Sequence, residues 1–392
     1  MSGVITAALI VIIAPLLLLT AFFSVEVIAG LPANSCDRRT APAASAVIVV
    51  PAHDEAAIIE RTLSELKAAA GPRMRILVVA DNCSDGTADC ARRAGAEVIE
   101  RIAPDRRGKG YALAFAAEAL ESCRPDVFVV LDADCSTDME SLHSLVSAAA
   151  RSGRPCQAVN LLRPDRTAPP FVQISAFAFM VKNLIRQRGL ERLCGRAHLT
   201  GTGMAFPFAL VSSALLANGD IVEDLALGLE MSARGHPPRL VSNALVLSDA
   251  SAPSDTLLQR RRWEGGFLAT SLRRSPEFVV RAFRMRDFRL LVAALDLMVP
   301  PLALLSIVNF VALALLAAAV TACGASWAPV VADALLLSVA GALVFLAWLT
   351  RGREYVSFAV LAGAPLYVAW KIPLYLSLAR RGAPREWLRT RR

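Results

Sequence analysis

Asp132 and Asp134 stand on either side of one alanine, and carboxylates at alternate positions can converge on a single hard divalent cation. A cation there would neutralise a ligand that carries phosphate. The same pair is also compatible with a solvated turn at the end of a strand. Three further clusters bear on the choice. His53, Asp54 and Glu55 form one; Asp81 and Asp85 form another; Arg106, Arg107 and Lys109 form a basic loop with Gly108 and Gly110 interleaved. Asp81 near a base or ribose, Arg107 and Lys109 at phosphates, and Asp132 with Asp134 at a metal would make a nucleotide-diphosphate site. Taken singly, Asp81 and Asp85 are equally at home in turns and helix caps.

The elements that must position these side chains alternate in type. Ala46–Val50, Met74–Ala80, Glu97–Arg101 and Val127–Leu131 have the length and β-branched content of buried strands. Between them, Glu55–Ala70 carries Ile59, Leu63, Leu66 and Ala70 on one helical face, an Ala- and Arg-rich helix follows Asp81–Thr87, and Lys109–Ser122 reads as a third helix. This alternation predicts an α/β fold with a mostly parallel sheet and right-handed crossovers. Each of the four clusters then falls at the carboxyl end of its strand, the edge where open α/β sheets bind ligands. Neither G-x-G-x-x-G nor G-x-x-x-x-G-K-[ST] occurs, which disfavours a dinucleotide fold and a P-loop.

The rest of the chain is apolar in blocks. Hydrophobic residues make up 55% and mean hydropathy is +0.49. Val4–Gly30, Leu290–Val320, Trp327–Leu349 and Tyr355–Leu378 are each long enough to cross a hydrocarbon core of roughly 30 Å. The first lacks a basic leader and is expected to be a retained anchor. The predicted organisation is an N-terminal membrane anchor over 1–30, a globular domain with interfacial helices over 37–289, a membrane region over 290–380 and a basic tail over 381–392. Net charge is +8, with arginines flanking the apolar blocks and not interleaved with aromatics, so a membrane surface is expected and nucleic acid is not. The positive-inside rule puts the globular part in the cytoplasm of an integral membrane protein. Three full spans after it would send the basic tail outside. Tyr355–Leu378, broken by Pro365 and Pro373 and carrying Lys371, is therefore expected to be partly interfacial or re-entrant. The eight cysteines show no C-x-x-C and no metal spacing with the four histidines.

Beyond the strand clusters, Cys156–Asn160 reads as a strand, Phe171–Arg188 as an amphipathic helix, and His198–Met204 as a turn rich in small residues. Asp220, Glu223 and Asp224 open a further helix, where Asp220 could cap, Glu223 could complete a capping box and Asp224 could sit in the first turn. From the residues alone, a catalytic and a capping role are both open. Gln259, Arg262 and Trp263 share one face of a helix over Ser254–Thr270; Arg260 and Arg261 fall outside it and are assigned to lipid headgroups.

In order between Val47 and Trp263, the segments VVPAHDE, VVADNCSDGT, RRGKGYAL, VVLDADCSTD, TGTGMAF, VEDLALGLEM and QRRRW resemble the motif series of membrane-bound family 2 glycosyltransferases. The resemblance is to the branch with chitin-oligosaccharide, poly-N-acetylglucosamine, hyaluronan and cellulose synthases. It implies a GT-A-type domain, a nucleotide-sugar donor and Mg2+ or Mn2+ as cofactor. It also implies an acceptor, saccharide or lipid-linked, near the small-residue turn. Donor contacts would come from Pro51, His53, Glu55 and Asp81, from Arg107, Lys109 and Asp132, and from Gln259, Arg262 and Trp263. The metal would lie on Asp134 with Asp132. Among the open readings of the later acids, the resemblance selects Asp224 as general base with Glu223 orienting it. Val222 and Ala80 stand where relatives usually carry Thr and Asp. The implied reaction is an inverting single displacement that extends a saccharide at the membrane, with transfer of one sugar to a lipid or polyprenyl carrier as the alternative. A long-chain synthase with so few spans would need a homodimer or an export partner subunit. A sugar-1-phosphate nucleotidyltransferase would leave the anchors unexplained, and an inactive scaffold would not need the acids.

Overall fold

The computed structural model describes residues 2–33, 44–217, 223–250 and 256–382. Eight strands form one mixed sheet in the order β3-β2-β1-β4-β7-β6-β8-β5. The strands are β1 (Ala46–Ala52), β2 (Met74–Asp81), β3 (Glu97–Arg101), β4 (Val127–Val130), β5 (Cys135–Thr137), β6 (Cys156–Leu162), β7 (Met204–Pro207) and β8 (Arg239–Ser248). The first four pair in parallel, as the alternation predicts, whereas β7 joins β4 and β6 antiparallel.

Preceding the sheet is α1 (Ser2–Gly30). The connecting helices are α2 (Ile59–Ala69), α3 (Thr87–Arg93), α4 (Lys109–Leu120) and α5 (Met139–Ser152). Then come α6 (Pro170–Met180), a π-helical turn (Val181–Arg186) and α7 (Gln187–Cys194) in one continuous rod, followed by α8 (Ser213–Leu216) and α9 (Glu223–Ala233). The expected helix over Phe171–Arg188 thus exists but changes its winding midway. A π turn adds a residue per turn and re-phases the side chains after it.

The strand pleat divides the core in two. Ile48, Val50, Val78 and Val129 pack under α2, α3 and α5, while Val47, Val49, Val79, Phe128 and Val130 pack under α4 and α9. Helices on both faces are the reason β1 and β4 are apolar without alternation. The turn bearing Asp132 and Asp134 is fixed at both ends, because β4 lies mid-sheet and β5 pairs with β8. Asp138 then caps α5 by accepting from Ser141 N–H at 2.7 Å.

The C-terminal part comprises α10 (Thr256–Met285), α11 (Phe288–Met298), α12 (Leu302–Cys323), α13 (Ala328–Thr350), α14 (Phe358–Ala362), α15 (Ala364–Trp370) and α16 (Ile372–Arg381). Among the described residues, α1, α12 and α13 are long and apolar enough to cross a membrane. Ile12, Phe310 and Leu335 on them are outward-facing and exposed. The last apolar block is three short helices, with Pro365 and Pro373 at the starts of the second and third. Lys371, buried at its centre, is paired with Glu264 of α10, whose other carboxylate oxygen accepts from Tyr375 Oη at 2.6 Å.

Helix α1 docks on α7 and the π turn through backbone contact and charge. A Cβ built on Gly189 of α7 would lie 2.1 Å from the Glu26 carbonyl oxygen, and one on Gly30 would lie 1.8 Å from that of Ile185. Beside this crossing, Arg186 donates to Glu26 at 2.9 Å and to Asp296 of α11 at 2.6 Å, and His198 meets the other Asp296 oxygen. Breaking a buried pair of this kind is costly, since one charge is left uncompensated. Gly189→Ala should lower stability in detergent by roughly 1–3 kcal/mol through overpacking, read by thermal unfolding. Gly3→Ala, which meets nothing within 4 Å, should leave the unfolding curve unchanged.

Candidate active site

Strand ends and loops converge on one cavity of about 1160 Å3. Its inner wall is the carboxyl edge of the sheet. Pro51 is next to last in β1 with His53 and Glu55 after it, Asp81 ends β2, Arg107 precedes α4 and Lys109 opens it, and Asp132 and Asp134 follow β4; all line it. Gln259, Arg262 and Trp263 line it from α10, and Glu223 and Asp224 from the first turn of α9. Residues far apart in sequence are therefore neighbours here because parallel strands end on one edge. Asp220 lies outside the described residues.

Lys109 holds the parts in register. Its ammonium bonds the Asp132 carboxylate and donates to the Gly201 carbonyl at 2.6 Å. One residue on, Gly110 N–H donates to Glu223 Oε2 at 3.0 Å. Asp132 N–H in turn donates to Thr202 Oγ1 at 3.1 Å. Burial pulls the Lys109 pKa down, but attraction to Asp132, Glu223 and Asp224 outweighs it and the net shift is upward. Burial raises Glu223 to about 7, and the hydrogen bond from Gly110 opposes it. Asp224 is also raised, chiefly by burial, against the N–H of Leu225 at 2.8 Å and the charges of Lys109 and Lys182. A buried carboxylate moved toward neutral pH suits a general base.

The small-residue turn is shaped by the same acids. Gly201 has φ +87°, and a Cβ there would stand 3.3 Å from Asp224 Oδ2; Gly203, at φ +65°, would press Val246 at 2.8 Å. Only glycine takes such angles at little cost.

Asp132, Asp134 and Cys135 each place one ligand atom within 4.8 Å of the others. Burial pushes the Cys135 thiol up to about 12, which leaves two carboxylates as the hard donors. Two oxygens at an open strand end, with the other positions available to phosphate and water, fit Mg2+ or Mn2+. His53, Asp54 and Cys83 form a second such group. There Asp54, at φ 55°, accepts from Ser84 N–H at 2.6 Å and clasps the β2 turn.

Three placements were not legible from spacing. Asp81 accepts from Arg101 Nη1 at 2.5 Å and from Asn82 Nδ2 at 3.0 Å, while His53 Nδ1 meets the Asp81 carbonyl at 2.7 Å. Arg101 is the last residue of β3, so cross-strand register is the signal that finds it. Arg260 does not reach toward headgroups: it is buried, 5.1 Å from the Trp263 ring centroid and 5.5 Å from that of Phe179. Residues three apart share a helix face, and that rule puts Arg260 with Trp263 as firmly as it puts Gln259 with Arg262. Lys182, brought to the cavity wall by the π turn, carried no motif.

The profile of the family described as glycosyltransferase like family 2 matches residues 42–266. This chain belongs to that family. Glycosyltransferase AglD of Haloferax volcanii is 34% identical over 179 residues, which are 41% of this chain and 28% of AglD. The low-salt glycan biosynthesis hexosyltransferase Agl6 of the same organism is 38% identical over 122 residues, 30% of this chain and 27% of Agl6. The chain thus spans just over a quarter of the length of either relative. In fold, this glycosyltransferase-family chain resembles mannosyltransferase PcManGT from Pyrobaculum calidifontis, solved with GDP-Man and Mn2+. The TM-score is 0.53 and identity 18%, covering 95% of this chain and 100% of that one. The fold is a GT-A α/β sheet with flanking helices and terminal apolar helices.

Between the ordinary glutamate value and about 7, folded Glu223 retains a proton that the unfolded chain has released. Its contribution is complete at the low end of that window and is lost as pH rises through it. Glu223→Gln should flatten this part of the stability-versus-pH curve, by roughly 1–3 kcal/mol across the window, measured by detergent-phase thermal unfolding.

Proposed function

We propose that the chain transfers a sugar, with inversion, from a nucleoside-diphosphate sugar to an acceptor carried by a membrane lipid. The observation that carries this reading is the continuity of the cavity. From the carboxylates it passes Trp263 and Phe179 and continues between α12, α13 and α15, lined there by Leu305, Ala340, Val344 and Val368. Its volume of about 1160 Å3 exceeds the ≈ 300–1,000 Å3 typical of a single small-molecule site, which suits a donor and an acceptor together. An apolar arm has no use for a soluble saccharide. Growth of a polymer remains the second reading, favoured by the Gln259–Trp263 face on the cavity wall.

On this reading the donor's nucleoside lies by Pro51, His53, Glu55 and Asp81, and its diphosphate by Arg107, Lys109 and Arg262. Asp134 with Asp132 would hold Mn2+ or Mg2+, which when bound would offset charge on the departing diphosphate. Asp224 takes the proton of the acceptor hydroxyl as that oxygen attacks the anomeric carbon, and Glu223, fixed by Gly110, keeps the α9 turn against the donor loop. UDP-sugars and GDP-mannose, the donor named with PcManGT, are the first to test. The anchor over 1–30, the domain over 37–289 in the cytoplasm, the membrane region over 290–380 and the basic tail over 381–392 complete the proposal. Two spans after the domain return the chain to the side it left, which agrees with the arginines at both ends. A homodimer or export partner is required only by the polymer reading.

Asp224→Asn should keep nucleotide-sugar affinity within about twofold and lower transfer by 10²-fold or more. Near-normal turnover would remove Asp224 from the role of base. Chelation of divalent cations should abolish transfer reversibly, with activity restored by Mn2+; full activity after chelation would remove the metal from Asp132 and Asp134.

A further inference from the structure

The apolar arm of the cavity meets its catalytic end at a cation, Lys182, that no anion among the described residues bonds. Lys182, in the π-helical turn, is exposed, and the space it faces is the cavity. Its ammonium lies 4.6 Å from the Phe267 ring centroid and has no hydrogen bond or ion pair among the described residues. Surrounding protein still limits its hydration: burial first, then the charge of Arg186, lowers its pKa.

The acids within electrostatic reach of Lys182 are Asp224, Asp296 and Glu264. Two are engaged elsewhere. Asp296 is bonded by Arg186 and His198, and Glu264 by Lys371 and Tyr375. The third, Asp224, faces the acceptor turn. Opposite Lys182, α10 presents Arg260, Trp263, Glu264 and Phe267 on one face, at intervals of three and four. Arg260 lines the cavity, is 93% buried, and its Nε has no partner. An ammonium bonded to no anion among the described residues and a guanidinium whose Nε lacks a partner, both lining the cavity where its apolar arm begins, suit an anion attached to an apolar chain.

We propose that Lys182 and Arg260 form a subsite for the phosphate that joins the acceptor saccharide to its lipid chain. The phosphate is a handle and not the nucleophile: it fixes how far the lipid enters, so that a saccharide hydroxyl reaches Asp224. This deepens the proposed function, on which it rests, by naming the acceptor as a phosphate-linked lipid saccharide.

The test uses the full chain in detergent with two acceptors of equal chain and sugar, one a polyprenyl-phosphate-linked saccharide and the other a neutral polyprenyl glycoside. The quantity read is the ratio of kcat/KM for the charged acceptor to that for the neutral one. Loss of one charge-assisted contact should lower this ratio by about tenfold to a hundredfold in Lys182→Met, and Lys182→Arg should restore most of it. Because Lys182 also lowers the Asp224 pKa, a role confined to that effect would depress both acceptors alike and leave the ratio unchanged, which would overturn the proposal. Competition by phosphatidate that depends on Lys182, without any change in the ratio, would assign the subsite to a bilayer phospholipid and also overturn it. No transfer to either acceptor by the unmodified chain would instead contradict the proposed function itself.

Discussion

The Lys109 ammonium sits where four parts of the chain have to meet. It bonds Asp132 at the end of β4 and the carbonyl of Gly201 in the small-residue turn, and the adjacent Gly110 N–H holds Glu223 at the start of α9. A single cation therefore bonds Asp132 and partly offsets the burial that raises the pKa values of Glu223 and Asp224. The end of β4, the small-residue turn and the start of α9 are fixed against one another around this one residue and its neighbour. That arrangement depends on the sheet, since only parallel strands with crossovers bring the β1, β2 and β4 ends to one edge.

A second constraint acts between the catalytic unit and the apolar helices. Glu26, Arg186 and Asp296 form a buried chain of charge from α1 through the π turn to α11, and Asp296 continues it to His198 at the start of the small-residue turn. Gly30 and Gly189 let the α1 and α7 backbones touch beside it. The cavity is the space these contacts leave, bounded by sheet edge, rod and apolar helices. Its two ends thus share walls. A change in how α1 seats would be felt at the turn that Lys109 holds.

Much of this was legible in the residues. Strand runs such as Val127–Leu131, with polar clusters placed after each, fixed the parallel half of the sheet and the edge where Asp81, Lys109 and Asp132 gather. Pro365 and Pro373 in Tyr355–Leu378 mark where the short helices α15 and α16 begin. What spacing could not supply was phase and long-range pairing. The π turn puts Lys182 on the wall, a displacement that 3.6-residue periodicity does not contain. Arg260 was assigned to headgroups because one helix face was counted, whereas α10 is contacted on several. Arg101 and Asp296 answer to partners in other elements, which periodicity within one element does not reveal.

One measurement bears on the whole account. Membranes containing the full chain would be given radiolabelled UDP-sugars and GDP-mannose in turn, and the product partitioned between organic and aqueous phases and sized. The account predicts label from one donor in a single organic-soluble glycolipid, absent with Asp224→Asn. A ladder of water-soluble polymer, or release of free sugar with no lipid product from any donor, would contradict it.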